Sequence, residues 1–186
     1  ERNHWNRSVL LKPAMALEPQ LLEQALNALI QHHDALRLSF TQTDSGWSAE
    51  YRPAPTSVLW QTYIDGVTQL QSLGDEAQRS LNLQHGPLLR AVLVSLNDGS
   101  QRLLLAIHHL VADDVSWGIL FDDLQTAYHQ LQMGQALALP EKTSAYKTWG
   151  EKLQDYGRSD ALQQELAYWV QQLDASSHDL PQANPE

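Results

Sequence analysis

The run Ile107–His108–His109–Leu110–Val111–Ala112–Asp113–Asp114–Val115–Ser116–Trp117 sets two adjacent histidines a fixed distance ahead of two carboxylates. A neutral imidazole, with an ordinary pKa of about 6.5, can take up or give back a proton near neutral pH. The run starts at the end of an apolar stretch that reads as a strand and ends where the period turns helical. Side chains alternate along a strand, so Leu103, Leu105, Ile107 and His109 share one face and Leu104, Ala106 and His108 the other. One histidine is therefore expected to be buried and the other to face a cleft. The start of the following helix offers free N–H groups and partial positive charge to an oxyanion forming nearby.

Plainer roles exist for the same residues. A lone histidine at a strand end more often packs or lies on the surface than acts as a base. Asp113 and Asp114 are both favoured helix N-caps. Ser116 reads as a first-turn polar residue, since no G-x-S-x-G elbow surrounds it. A metal site at His108 and His109 is not expected, because neighbours on a strand diverge and no His-Glu-x-x-His pattern supplies further ligands.

The elements that must position this run are legible in the periodicity. Ser8–Leu11 reads as a strand. Glu18–His33 carries Leu21, Leu22, Ala25, Leu26, Leu29 and Ile30 at helical spacing, with Pro19 in the first turn. Alternation in Leu36–Phe40 and again through Trp47, Ala49 and Tyr51, around Thr43–Asp44–Ser45–Gly46, predicts a hairpin. A short strand over Val58–Ile64 and a helix over Val67–Leu81 follow. Leu88–Leu96 and Arg102–His109 form a second hairpin through Asn97–Asp98–Gly99–Ser100. Helices are expected over Val115–Met133, Thr143–Asp155 and Asp160–Leu173. This mixed order predicts a two-layer α/β sandwich. Trp60, Trp149, Trp169, Tyr146 and Tyr168 sit in amphipathic segments and are expected to pack the core. His4, His85, His129 and His178 have no evident partners.

Composition narrows the function. The chain has 186 residues and a formal net charge of −10, which argues against a general nucleic-acid binder or a polybasic membrane-surface protein. At 42% hydrophobic residues it can bury a core. Cysteine is absent, which excludes disulfides, thiolate metal sites and a cysteine nucleophile. No apolar run approaches the roughly 18–20 residues of a membrane-spanning helix, and a cytoplasmic location is the expectation. The chain begins at Glu1 rather than Met and ends in a polar tail from Ser176, as expected of a piece of a longer polypeptide.

Four stretches carry a resemblance in order and register over essentially the whole chain. His108–His109–Leu110–Val111–Ala112–Asp113 resembles the HHxxxDG motif of the condensation-domain superfamily of nonribosomal peptide synthetases, which shares its fold with chloramphenicol acetyltransferase. Ser116–Trp117 resembles the HHxxxDxxSW form of its epimerization domains. Asn3–His4–Trp5–Asn6–Arg7–Ser8–Val9–Leu10–Leu11 is similar to their NHFNQSVLL strand. His32–His33–Asp34–Ala35–Leu36–Arg37 is similar to their HHDALR, where condensation domains carry RHExLR. Gly86–Pro87–Leu88–Leu89–Arg90 matches both.

The resemblance implies a chloramphenicol acetyltransferase-like lobe: residues 1–186 as the N-terminal half of a V-shaped domain whose C-terminal lobe is absent. It implies epimerization of an aminoacyl or peptidyl thioester on the phosphopantetheine of a carrier protein, by removal and return of the Cα proton. His109 would be one acid/base residue, and a Glu in the absent half the other. His108, Asp113, Arg37, Ser116 and Trp117 would support the loop. Asp113 would pair with a buried arginine, Arg37 by preference and Arg90 second. No metal or diffusible cofactor is required, and the partners are the carrier protein and neighbouring synthetase domains. Condensation and a non-catalytic carrier-docking lobe are the alternatives. The family's usual Gly after the motif Asp is Asp114 here, where a carboxylate would narrow the thioester's approach.

Overall fold

The computed structural model describes residues 2–55 and 57–174; the tail from Ser176, with His178, lies outside the described residues. The second hairpin forms as expected, from β5 (Leu89–Leu96) and β6 (Gln101–His108). Its turn is closed by the Gly99 N–H on the Leu96 carbonyl at 2.9 Å, with Gly99 at φ +80°, a conformation that a side chain disfavours. β1 (Asn6–Leu11) adds antiparallel to β6, and β4 (Leu59–Ile64) adds parallel to β5, giving the order β1-β6-β5-β4. The parallel pair requires a crossover. It is made through α2 (Leu70–Arg79), preceded by a short 3-10 turn over Val67–Gln69.

One face of this sheet is covered by α1 (Pro19–His32) and α3 (Asp114–Gln132). Leu22, Leu26, Leu29 and Ile30 of α1 and Leu120, Leu124 and Ala127 of α3 pack with Leu89, Leu93, Leu103, Leu105 and Ile107. Each such Leu or Ile contributes about 1.5–3 kcal/mol by burial, several times the worth of a surface ion pair. The mixed α/β layering thus matches expectation, and the far face is also partly covered. There Val92, Val94, Leu96, Leu104 and Ile64 meet Ala77, Leu70 and Leu73 from the α2 segment. This explains why β5 and β6 read as near-continuous apolar runs, the pattern of strands buried on both faces.

The first hairpin, β2 (Leu38–Thr43) and β3 (Gly46–Tyr51), forms a separate two-stranded sheet. The strand expected from Leu36 begins at Leu38. Asp34–Arg37 instead forms a 3-10 turn, with the Leu36 N–H on the His33 carbonyl at 3.0 Å. Two apolar residues spaced by one satisfy a tight turn as well as a strand.

Residues 143–186 form a unit of their own, whose described part is α4 (Tyr146–Gly157) and α5 (Asp160–Asp174). The aromatic residues here correct an expectation. Tyr146 (65% exposed), Trp149 (57%), Tyr168 (57%) and Trp169 (55%) lie open instead of packing a core. Two helices alone shield only a narrow strip of each other. Trp169 uses its indole N–H on Glu165, and its ring meets Tyr168 edge-on at 5.2 Å. Trp60 on β4 is partly buried, with the Arg90 guanidinium 4.5 Å above its ring.

Candidate active site

β6 ends at His108, and the chain turns through His109, Leu110 and Val111 into α3. The two histidines divide as alternation predicts, and their hydrogen bonds show how. His108 is 1% exposed. Its Nδ1 accepts the Leu110 N–H at 3.2 Å, and its Nε2 lies 2.9 Å from the Arg2 carbonyl. An N–H can only donate and a carbonyl only accept, so His108 carries its proton on Nε2 and has both nitrogens engaged.

His109 has the opposite arrangement. Its backbone N–H donates to the Trp5 carbonyl at 2.8 Å, extending the β1–β6 ladder by one residue. Its Nδ1 lies 2.8 Å from the Ala112 carbonyl and must carry the proton. In the neutral ring Nε2 then has a free lone pair, and it has no hydrogen-bond partner among the described residues. Half-buried and fixed through one nitrogen, His109 can accept a proton at the other.

Asp113 is the N-cap of α3 in a capping box with Ser116. Its Oδ1 accepts the Ser116 N–H at 2.9 Å and the Ser116 hydroxyl at 2.6 Å, while Ser116 Oγ accepts the Asp113 N–H at 3.2 Å. These Ser116 bonds hold the Asp113 carboxyl below its ordinary pKa. The expected pairing of Asp113 with a buried arginine is not formed. Arg37 donates instead to Asp34, three residues away, and to the Arg52 carbonyl at 3.2 Å. Arg90 donates through Nε to Ser80 Oγ at 3.0 Å. The physical reason is locality: Asp-x-x-Ser satisfies the carboxylate within one helical turn, with no long loop to close.

Asp114 is 79% exposed at its side chain and pairs with Arg7 of β1 at 3.7 Å. Trp117 stacks on Phe121 at 5.4 Å and packs against the edge of the main core, which anchors the first two turns of α3. Ser116 N–H is consumed by the cap, so the N–H groups of Asp114 and Val115 remain as first-turn donors without an acceptor inside the helix. Farther along α3, Phe121, Leu124 and Tyr128 line an apolar cavity of about 890 Å³ with Leu11, Met15 and Leu103, at the other end of β6 from His109.

One polar pair was not read from the sequence. Asp123 of α3, only 6% exposed, lies with Oδ2 2.8 Å from His33 Nε2 at the C-cap of α1. Burial lowers the His33 pKa, and the Asp123 hydrogen bond only partly offsets it. The available signal was Asp123 itself, an acid lying on the Leu120–Leu124–Ala127 stripe that α3 turns to the core.

The turn that carries these histidines lies in a chain that a family model matches over its full length. The chain belongs to the condensation-domain family, whose family model matches residues 1–186. It is similar to tyrocidine synthase 2 of Brevibacillus parabrevis, 39% identical over 176 residues, covering 91% of this chain and 5% of that protein. Tyrocidine synthase 1 of the same organism is 38% identical over 173 residues, covering 89% of this chain and 16% of that protein. The chain thus spans a small part of the curated relatives it matches.

Among solved structures, the epimerization domain from the third module of tyrocidine synthetase B superposes with a TM-score of 0.89 at 34% identity, covering 96% of this chain and 42% of that one. The starter condensation domain of rhizomide synthetase shares the fold, with a TM-score of 0.78 at 22% identity, over 92% of this chain and 43% of that one. Among the described residues, no helix is long and apolar enough to cross a membrane.

Proposed function

We propose that residues 1–186 are the His-bearing N-terminal lobe of an epimerization domain that inverts the α-carbon of an aminoacyl or peptidyl thioester. The observation that carries the reading is the tether of His109 Nδ1–H to the Ala112 carbonyl, which leaves Nε2 as a base at the mouth of α3. The likeness to an epimerization domain at 34% identity and the Ser116–Trp117 pair support it over its sister activity.

In this mechanism His109 Nε2 takes the Cα proton and becomes imidazolium, while the electron pair moves into the thioester carbonyl to give an enolate. First-turn N–H groups of α3 stabilise the developing oxyanion. A proton returns to the opposite face from a second group, which the resemblance assigns to a Glu outside this chain. His108 holds the turn, the Asp113–Ser116 box fixes the start of α3, and Trp117 seats its first turns. Arg37 supports the His33–Arg37 turn through Asp34. The phosphopantetheine arrives as part of the substrate on a carrier protein, and the synthetase works in the cytoplasm.

Condensation of two carrier-bound substrates is the second reading, since the family match and the peptide synthase relatives fit it equally. The test uses the parent domain with its carrier, loaded with an L-aminoacyl group, in heavy water. Deuterium entry at Cα with formation of the D product, both lost in His109→Ala, is expected. Absence of exchange, with dipeptide formed once donor and acceptor are supplied, would establish condensation instead. Silence in both assays would leave a lobe that only docks carriers.

A further inference from the structure

His32, His33 and Asp123 bring one ligand atom each to within 4.8 Å of one another, from the end of α1 and the middle of α3. The backbone explains how two consecutive histidines converge. His32 is the last residue of α1, while His33 leaves the helix at φ −92° and ψ 95°, so its ring swings back beside that of His32. The ring centroids are 4.9 Å apart and nearly perpendicular. Both rings are thus gathered beside the buried carboxylate of Asp123.

We propose that His32, His33 and Asp123 form a site for a divalent transition-metal ion, Zn²⁺ by preference, that fastens α1 to α3. Two imidazoles and a carboxylate are a donor set suited to such ions and leave a fourth position for water. Tetrahedral bonds of about 2.0–2.1 Å place donor atoms about 3.3 Å apart. His33 Nε2 and Asp123 Oδ2, now 2.8 Å apart, need to open only slightly, and His32 needs to close in.

Charge points the same way. Asp123 is 6% exposed, and among the described residues its hydrogen-bonded partner is His33. A divalent ion would set a full positive charge beside this buried carboxylate. The neighbouring cation, Lys142, is occupied by Asp34 at 3.0 Å. The ion takes no part in proton transfer at His109; it braces the helix that His109 leads into.

The test titrates Co²⁺ into the chelator-treated 186-residue chain and follows its visible ligand-field absorption, with Zn²⁺ as competitor. One equivalent is expected to bind, and Zn²⁺ to displace it and raise the melting temperature. Asp123→Asn and the half-exposed His32→Gln should each weaken binding by more than the roughly 10–100-fold typical of an outer-shell partner. His85→Gln and His129→Gln should leave it intact. Failure of the wild-type chain to saturate with Co²⁺, or undiminished binding in folded His32→Gln, would overturn the site.

Discussion

The chain contains two His-His pairs, and the backbone beneath each decides what the pair can do. At the end of β6 the strand sends consecutive side chains apart: His108 turns inward with both nitrogens bonded, and His109 turns outward with one nitrogen free. At the end of α1 the chain leaves the helix between the two residues, and the His32 and His33 rings meet beside Asp123. The same dipeptide thus yields a split pair suited to proton transfer and a convergent pair suited to holding two helices together. Both pairs bear on α3, the first at its start and the second at Asp123 in its interior.

The largest expected effect sharpens the split at β6. His109→Ala should cost about 10²–10⁴-fold in the rate of Cα exchange, the usual worth of a general acid/base, with a smaller loss of stability than His108→Ala. His108→Ala should show the reverse emphasis. It empties a position that is 1% exposed and unpairs the Leu110 N–H and the Arg2 carbonyl, and should cost about 1–3 kcal/mol in urea denaturation. Equal destabilisation by the two variants would break the comparison.

Removing the cap tests whether Asp113 acts locally. Asp113→Ala should lower the urea denaturation midpoint, Asp113→Asn much less so, and Arg37→Ala combined with Asp113→Ala should be additive. A strong coupling between them would restore the long-range ion pair that the structure lacks.

The smallest expected effect is a pH dependence at the convergent pair in the metal-free chain. The groups around His33 are Asp123, His32 and Lys142. The folded His33 pKa lies below the unfolded value of 6.5, so the unfolded chain binds its proton more readily. Stability is therefore full above the unfolded value and falls as pH drops below it. Denaturation midpoints between about pH 7.5 and about pH 5.5 should show this slope, and His33→Gln should flatten it.

Much of the fold was legible because its signals are local. The stripe of Leu22, Leu26 and Leu29 gave α1, the Asn97–Ser100 link gave the β5–β6 hairpin, and alternation separated His108 from His109. Three features were hidden for distinct reasons. The Asp113–Ser116 box and a buried Asp–Arg pair use the same carboxylate, and the shorter loop prevails. The His33–Asp123 contact exists only once α1 lies on α3, which no local pattern encodes. The exposed aromatics of α4 and α5 follow an amphipathic period that says a face wants cover without saying what supplies it.

The central claim, that His109 alone presents a free imidazole nitrogen at this turn, is open to a direct measurement on the chain itself. Long-range ¹⁵N–¹H NMR of the histidine rings near neutral pH reads out the tautomers one residue at a time. The account predicts opposite tautomers in adjacent residues: Nε2–H for His108 and Nδ1–H for His109. An Nε2–H tautomer at His109 would contradict it, because the nitrogen assigned to take the Cα proton would already carry one.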